Sequence, residues 1–356
     1  MIIKSIQLTN FRNHSHFLLE CNDEVTLILG KNGFGKTSIL EAIYILTRGK
    51  SFRATDSEIK KRDTDFYRIE LNYQNGEKTI ATYDGNKKSF LLTDKKTSRL
   101  PRQNKYPVIL FLPSDLNLIS HAPGRRRDYF NQVFSQLDEN YASTLSKYDK
   151  ALKQRNELLK KEGLKPEDLF SWNVLLSRYG TKLLTMRKAF IKEINQSLND
   201  IYYSIAEVND HILLTYKTDA IQTTEANYLK TIEQNFPRDS ILGHTTFGVH
   251  RDDFVFEFNH KIADGSASRG ETRSIILALK FLEASMIKKI LGQPPIILLD
   301  DVFSELDDTR RKCLINNFQH NQVIITSVES LWYNITHDKN RENSTRWSSI
   351  RHYGGW

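Results

Sequence analysis

The sequence predicts an α/β fold in which a mixed β-sheet is interrupted by a long helical arm. Three short runs, residues Val25–Leu29, 296–299 and 323–326, are continuously apolar and rich in β-branched residues, which is typical of strands buried in a parallel sheet. Residues 125–204 instead contain little glycine or proline, and their apolar residues recur at helical spacing. We therefore expect the chain to leave the sheet, form helices and return to it.

The other elements follow from local pattern. Residues 3–8, Tyr67–Tyr73 and Lys78–Tyr83 are expected to form antiparallel strands, and Asn75-Gly76 predicts the tight turn that joins the last two. A helical pattern covers residues 38–47, directly after the first buried strand and a glycine-rich loop.

The length of the chain and the distribution of its charge both indicate separate domains. Its 356 residues are typical of about two domains. We predict an α/β head made of residues 1–110 and 240–356, with a helical arm, residues 111–239, inserted between them. Residues 147–193 hold 12 basic and 6 acidic side chains, so six of the eight net positive charges lie there. This charge indicates either an anion-binding arm or a solvated helix face.

Composition excludes several classes of protein. The net charge of +8 suggests an anionic partner, with nucleic acid as the first candidate. Two cysteines are too few for a disulfide framework or a cysteine zinc site, and they suit a reducing cytoplasm. The longest apolar runs are about five residues, whereas a membrane span needs ~20, and the N-terminus lacks the apolar stretch of a signal peptide. We expect a cytoplasmic protein without membrane contact.

A phosphate-binding loop lies between the first buried strand and the helix that follows it. The pattern G-x-x-x-x-G-K-[ST] is met by Gly30, Lys31, Asn32, Gly33, Phe34, Gly35, Lys36 and Thr37. Glycines let backbone N–H groups converge on phosphate oxygens, and the helix directs its positive end at the same anion. Lys36 is predicted to contact the β- and γ-phosphates and to assist catalysis, and Thr37 to bind Mg²⁺.

Two carboxylates end the second buried strand. Asp300 is predicted to hold Mg²⁺ through water, and Asp301 to orient or deprotonate the attacking water. The alternative is that a strand-end aspartate caps the next helix.

A third motif, Ser268-Arg269-Gly270-Glu271, opens a helical pattern about thirty residues before Asp300. Alone it also fits a capping box. The order of phosphate loop, S-x-G-E, acidic strand and Ser304-Glu305-Leu306-Asp307 resembles the ATP-binding-cassette (ABC) class of P-loop ATPases. The resemblance implies an ABC-type ATPase head that uses ATP and Mg²⁺. It also implies an ATP-dependent homodimer, in which Ser268 and Gly270 complete the partner's nucleotide site.

Further motifs are similar to those of the bacterial RecF family. They run in family order from residue 6 to about 326 and include residues 6–13, 49–53, 111–116, 123–127, 151–156 and 248–253. The resemblance implies an ATP-gated clamp on duplex DNA beside a single-stranded gap, reset by slow hydrolysis. It also implies work with RecR and RecO in loading RecA. The chain departs from the expected patterns at Glu271, where Gln is common, in the absence of a switch His after residue 326, and in its tail beyond Ser330.

Basic residues near and on the arm are the candidates for DNA contact. They are Arg125, Arg126, Arg127, Lys153 and Arg155, which would bind phosphates without sequence preference. The alternative for the arginine triplet is helix solvation or pairing with Asp128 and Glu139. Arg12 and Arg53 are further candidates for the nucleotide. For His250, a structural hydrogen-bonding corner is preferred to a metal site.

Three other classes of function compete with a DNA clamp. A transporter ATPase subunit is disfavoured by the basic arm and the missing switch His. A chromosome-organising ATPase would need sustained heptads over a longer arm, and the helical stretch of residues 125–204 spans only about 80 residues. An ATPase-linked nuclease would need an additional acidic metal-binding domain.

Overall fold

The computed structural model describes residues 2–93, 95–120, 122–220, 224–318, 320–328 and 350–352. It contains two compact units: the head unit, Met1–Asp115 with Ile287–Trp356, and the arm unit, Leu116–Met286. Residues 240–286, assigned from sequence to the head, thus group with the helices by contacts, and the domain boundaries at 110 and 239 stay a prediction.

Strands and helices alternate irregularly along the chain. The strands are β1 (Ile3–Phe11), β2 (His14–Glu20), β3 (Val25–Leu29), β4 (Tyr67–Tyr73), β5 (Lys78–Tyr83), β6 (Lys88–Leu92), β7 (Lys95–Thr97), β8 (Val108–Phe111), β9 (Ile212–Lys217), β10 (Asp253–Phe258), β11 (Lys261–Ile262), β12 (Ile296–Asp300), β13 (Val323–Ser327) and β14 (Ile350–His352). The helices are α1 (Lys36–Arg48), α2 (Asp56–Ile59), α3 (Pro123–Leu137), α4 (Glu139–Leu158), α5 (Phe170–Ala206), α6 (Glu225–Gln234), α7 (Phe236–Leu242), α8 (Ala263–Ser266), α9 (Arg269–Leu291) and α10 (Asp308–Asn317).

A parallel sheet forms the base of the head unit. Its order is β14-β3-β13-β12-β8, and each neighbouring pair is parallel. The three buried strands predicted from sequence are therefore confirmed. Strand β8 was not among the predicted strands, although all four of its residues are apolar and buried. The sheet brings the carboxyl ends of β3, β12 and β13 to one edge, where the candidate site lies.

An antiparallel sheet completes the head unit, with the order β2-β1-β4-β5-β6-β7. It contains the three strands predicted to be antiparallel, and Gly76, with φ 84°, forms the predicted turn between β4 and β5. Helix α1 belongs to one apolar cluster with side chains of both sheets, including Leu8, Ile69 and Leu298. Because 11 of its 13 residues are buried, α1 is held firmly and fixes the direction of the loop before it.

The arm unit is mainly helical, as predicted for residues 125–204. Helix α5 spans 37 residues, and the three-stranded sheet β11-β10-β9 packs against the helices. Phe130 of α3 stacks on Phe254 of β10 with ring centroids 4.4 Å apart.

Within the described part of the chain, no helix has the length and apolar character needed to cross a bilayer. The divergent tail after Ser330 lies outside the described residues, apart from β14.

Candidate functional site

The loop between β3 and α1 has the backbone of an anion cradle. Gly33 and Gly35 have φ angles of 88° and 83°, in the left-handed region that favours glycine. A Cβ atom on Gly35 would lie 2.5 Å from Nε2 of His14, so a side chain there would also force the His14 ring to move. Helix α1 begins without a side-chain cap and without an acidic residue in its first turn. Its first N–H groups can therefore bind an external anion.

Lys36 carries its charge into this loop. Its side chain is buried, and Nζ donates to the carbonyl oxygens of Gly30 at 2.6 Å and Lys31 at 3.0 Å. The loop therefore holds the ammonium group beside the N–H groups that would bind phosphate.

Thr37 and Asp300 meet at the carboxyl edge of the parallel sheet. The Thr37 hydroxyl lies 2.9 and 2.8 Å from the two carboxylate oxygens of Asp300, and Thr326 donates to Oδ1 of Asp300 at 2.8 Å. Hydroxyl and carboxylate oxygens are ligands that Mg²⁺ prefers. No group of three or more His, Cys, Asp or Glu side chains in the described ranges forms a metal cage. This donor set fits an ion that shares its coordination with phosphates and water.

Asp301 follows in an unusual backbone conformation. Its φ of 50° ends the strand, and its N–H donates to the carbonyl oxygen of Thr326 at 3.1 Å. Its carboxylate atom Oδ1 is buried without a hydrogen-bond partner, and its side chain makes no cap to the turn Val302–Glu305. Burial raises the pKa of Asp301, the charges of Asp300 and Glu305 raise it further, and Lys36 opposes them. The capping alternative is wrong for Asp301, since its oxygen stays available for another partner.

These groups line a cleft of about 710 Å³ in the head unit. The lining residues are Arg12, Asn13, Asn32, Gly33, Gly35, Lys36, Thr37, Ser38, Arg53, Ala54, Glu58, Pro113, Asp300 and Asp301. The structure thus brings the phosphate loop and both strand-end aspartates into one cavity. The specific catalytic and metal-binding roles of these side chains stay predictions.

A buried carboxylate that the motifs did not reveal fixes one wall of the cleft. Glu41 of α1 is fully buried and accepts two hydrogen bonds from Arg12, at 2.9 and 2.8 Å, and two from Arg53, at 3.1 and 2.9 Å. Burial alone would raise the pKa of Glu41, but bonds from Arg12, Arg53 and Ser51 outweigh it and hold the pKa below its usual range. The signal was present in the sequence, because Glu41 stands alone among apolar residues of α1.

The S-x-G-E motif forms a capping box at the start of α9. The Ser268 N–H donates to Glu271 at 2.6 Å, and the Glu271 N–H donates to the Ser268 hydroxyl at 3.3 Å. The motif therefore has the local structure of a capping box, which was the alternative interpretation of its sequence. Ser268 is exposed and Gly270 is partly exposed, and both belong to the arm unit. Their role in a partner's nucleotide site stays a prediction.

Arg155 is a correction to the predicted DNA contacts. Its side chain is fully buried, and its guanidinium group donates to Asn173 at 2.8 Å, Asp239 at 2.7 Å and Thr245 at 2.8 Å. The prediction that Arg155 contacts DNA is wrong, because its charge is neutralised inside the arm unit. Lys153, two residues earlier on α4, is exposed.

The arginine triplet is largely engaged with residues 248–253. Arg126 donates two hydrogen bonds to the Asp253 carboxylate, at 2.8 and 2.7 Å, and Arg127 donates to the carbonyl oxygen of Asp252 at 2.7 Å. Arg126 thus has an acidic partner other than the Asp128 and Glu139 weighed from sequence. Arg125 is the exposed member. Binding of DNA by Arg125, Arg126, Arg127 and Lys153 stays a prediction, although Arg126 is already paired with Asp253.

His250 occupies the structural corner that the sequence predicted. Its two ring nitrogens lie 2.8 Å from the Tyr148 hydroxyl and 3.0 Å from the Thr245 carbonyl oxygen. Burial lowers the pKa of His250 to about 4, so the ring is neutral at neutral pH.

Comparisons with known proteins show the family to which the chain belongs. A family model described as an AAA ATPase domain matches residues 1–327. The DNA replication and repair protein RecF of Clostridioides difficile (strain 630) is 34% identical over 360 residues, which cover 96% of this chain and 95% of the relative. The protein of the same name from Agathobacter rectalis is 36% identical, with 92% of each chain covered.

A solved structure gives the same result. The recombination mediator protein RecF-ATP in the RecFOR pathway is 28% identical, with a TM-score of 0.82 over 92% of each chain. The predicted fold class, an α/β ATPase head with a helical arm, and the predicted family are both confirmed. The chain belongs to the RecF family of DNA replication and repair proteins.

Proposed function

We propose that this chain is an ATP-dependent DNA-binding protein of replication and recombinational repair, which closes as a homodimer when it binds Mg²⁺-ATP. The observation that carries the proposal is the meeting of Thr37 with Asp300, 263 positions apart in sequence, next to the buried ammonium group of Lys36. A phosphate loop, an acidic strand end and an orphaned carboxylate oxygen in one cleft are the parts that nucleotide hydrolysis needs.

Each part has a distinct task. The N–H groups of the loop and Lys36 hold the phosphates, and Thr37 and Asp300 would hold Mg²⁺, which neutralises phosphate charge when bound. The buried oxygen of Asp301 accepts a hydrogen bond from the attacking water and orients it. A raised pKa leaves the Asp301 carboxylate less often charged and ready to accept a proton, which fits slow hydrolysis and suits a switch that resets the clamp.

The exposed start of α9 supports the dimer. Ser268 is exposed at the start of that helix, at a position where another copy's phosphate could bind. The net charge of +8 supports DNA as the partner of the closed dimer. Duplex DNA beside a single-stranded gap, RecR and RecO as partners, and the loading of RecA complete the proposal, in line with the RecFOR pathway named for the solved relative.

Substitutions at Asp301 and Ser268 should have opposite effects on the ATP-bound dimer. Asp301→Asn should slow hydrolysis and let ATP-bound dimers accumulate, because water is no longer activated while the phosphate contacts remain. Ser268→Arg should prevent ATP-dependent dimers, since it places bulk at the joining surface. Sedimentation velocity and DNA binding, measured with ATP, with ADP and without nucleotide, report both effects.

ATP binding is the control for both variants, and it should match the wild type. Dimerisation of Ser268→Arg with ATP at wild-type strength would refute the composite site. DNA binding by the wild type that is equally tight without nucleotide would refute the ATP-gated clamp.

A further inference from the structure

The buried carboxylate of Glu41 is shared by two arginines that line the cleft of the phosphate loop. Its two oxygens accept five hydrogen bonds, two from Arg12, two from Arg53 and one from the Ser51 hydroxyl at 2.6 Å. Glu41 lies four residues after Thr37 on α1, which is ~6 Å further along the helix axis. Because α1 is held in the apolar core, this carboxylate is a fixed point beside the loop.

Other contacts anchor the two arginines around Glu41. Arg12 has a left-handed φ of 53°, and its Nη1 donates to the carbonyl oxygen of Glu58 at 3.0 Å. The Ser51 hydroxyl, itself bonded to Glu41, accepts the backbone N–H of Arg53 at 3.0 Å. The two guanidinium groups therefore converge on one carboxylate from separate segments of the head unit, one between β1 and β2 and one between α1 and α2.

Each guanidinium group keeps donors for another acceptor. A guanidinium group has five N–H donors. Among the described residues, Arg12 uses three of them, on Glu41 and the Glu58 carbonyl oxygen. Arg53 also uses three, on Glu41 and the Ser38 hydroxyl, and the two arginine side chains are 21% and 38% exposed. Since Ser38 lies in the first turn of α1, the Arg53 guanidinium lies next to the part of the helix that would bind phosphate.

We propose that Glu41 is a positioning residue of the nucleotide site, which holds the free donors of Arg12 and Arg53 ready for the phosphate oxygens of ATP. The inference rests on the ATP binding of the proposed function. A long arginine side chain loses rotamer entropy when a ligand fixes it. Because charge-assisted hydrogen bonds to Glu41 already fix both guanidinium groups, that entropy is lost on folding and not on binding.

A negative charge without a positioning role would have the opposite effect on ATP. A carboxylate near a phosphate site repels the nucleotide, so its neutralisation would strengthen ATP binding if charge alone mattered. A positioning role predicts weaker binding, since Arg12 and Arg53 then lose the charge of their common acceptor. The direction of the change in ATP affinity therefore separates the two roles.

Glu41→Gln tests this direction, because it keeps the shape of the side chain and removes its charge. It should weaken ATP binding about fivefold, since hydrogen bonds between charged groups are about twice as strong as neutral ones. Glu70→Gln is the matched control: Glu70 of β4 also pairs with two cations, Arg68 and Lys78, and is not among the residues that line the cleft. By isothermal titration calorimetry, the control should change ATP affinity less than about twofold.

A double-mutant cycle with Arg53→Ala separates positioning from packing. Arg53→Ala leaves Glu41 paired with Arg12, so the fold is retained, and it should weaken ATP binding about fivefold. Together with Glu41→Gln, the loss of ATP affinity should be smaller than the product of the two separate losses, because the second substitution finds one arginine fewer to position. A Glu41 that only stabilises the packing of the head would give losses that multiply.

An ATP affinity of folded Glu41→Gln equal to or above that of the wild type would overturn the inference, and so would losses that multiply. Wild-type ATP affinity of Arg53→Ala would overturn it whether or not Glu41→Gln folds. In each case, ATP binding by the wild type that is lost in Lys36→Ala leaves the proposed nucleotide site standing. A wild type that binds no ATP contradicts the proposed function itself, and the inference with it.

Discussion

Lys36→Ala should weaken ATP binding ten- to hundredfold. A hydrogen bond from a charged group contributes about 1.5–3 kcal/mol, and about 1.4 kcal/mol corresponds to tenfold in affinity. Lys36 is buried in the loop, where its Nζ already bonds the carbonyl oxygens of Gly30 and Lys31, so its charge is oriented before the ligand arrives. Isothermal titration calorimetry with ATP measures the loss directly.

Lys31→Ala is the matched control for this variant. Lys31 is an exposed lysine of the same loop, and its backbone carbonyl is retained in the substitution. Its removal should change ATP affinity several-fold less than removal of Lys36. A folded Lys36→Ala protein that binds ATP as tightly as the wild type would show that the loop is not a phosphate site.

Arg155→Ala should lower the free energy of unfolding by about 3–5 kcal/mol. The substitution leaves Asp239, which is only 1% exposed as a side chain, as a buried charge without its cation. It also removes the hydrogen bonds to Asn173 and Thr245. Urea unfolding followed by far-ultraviolet circular dichroism measures this change.

Lys153→Ala, one half-turn earlier on α4, is the natural comparison, because an exposed lysine should contribute within about 0.5 kcal/mol. Asp239→Asn combined with Arg155→Met should recover part of the loss, since neither charge is then left unpaired. A fully stable Arg155→Ala protein with weakened DNA binding would restore Arg155 to the DNA-binding surface.

Local features of the sequence predicted much of the head unit. Strands buried on both faces are continuously apolar, so Val25–Leu29 was recognisable without its partners, and the phosphate loop is a contiguous motif. The meeting of Thr37 and Asp300 agrees with the predicted parallel sheet, because the phosphate loop follows β3 and Asp300 ends β12, so that both lie at the carboxyl edge of the sheet. Strand β8 is equally apolar, but no recognisable motif lies next to its four residues in the sequence.

Such local patterns do not predict which charged side chains, distant in sequence, pair with each other. Arg155 sits in a basic stretch of α4 that resembles a solvated helix face, whereas its partners Asn173, Asp239 and Thr245 are 18 to 90 positions away. Arg126 likewise finds Asp253 127 positions later. Whether an arginine faces solvent or a buried carboxylate depends on the packing of several helices. The number of charges along the chain carries no information on that packing.

The conformation of Asp301 lowers the stability of the fold but suits its proposed role in ATP hydrolysis. A left-handed φ on a residue other than glycine, a desolvated carboxylate oxygen without a partner and an adjacent Asp300 are each unfavourable for folding. Asp301→Gly should therefore melt at a higher temperature than the wild type while losing hydrolysis, a difference that calorimetric scanning would detect. Selection for thermal stability alone would therefore favour the loss of Asp301. A heat-stabilised variant of this protein is expected to retain nucleotide binding and to lose the hydrolysis that releases the nucleotide.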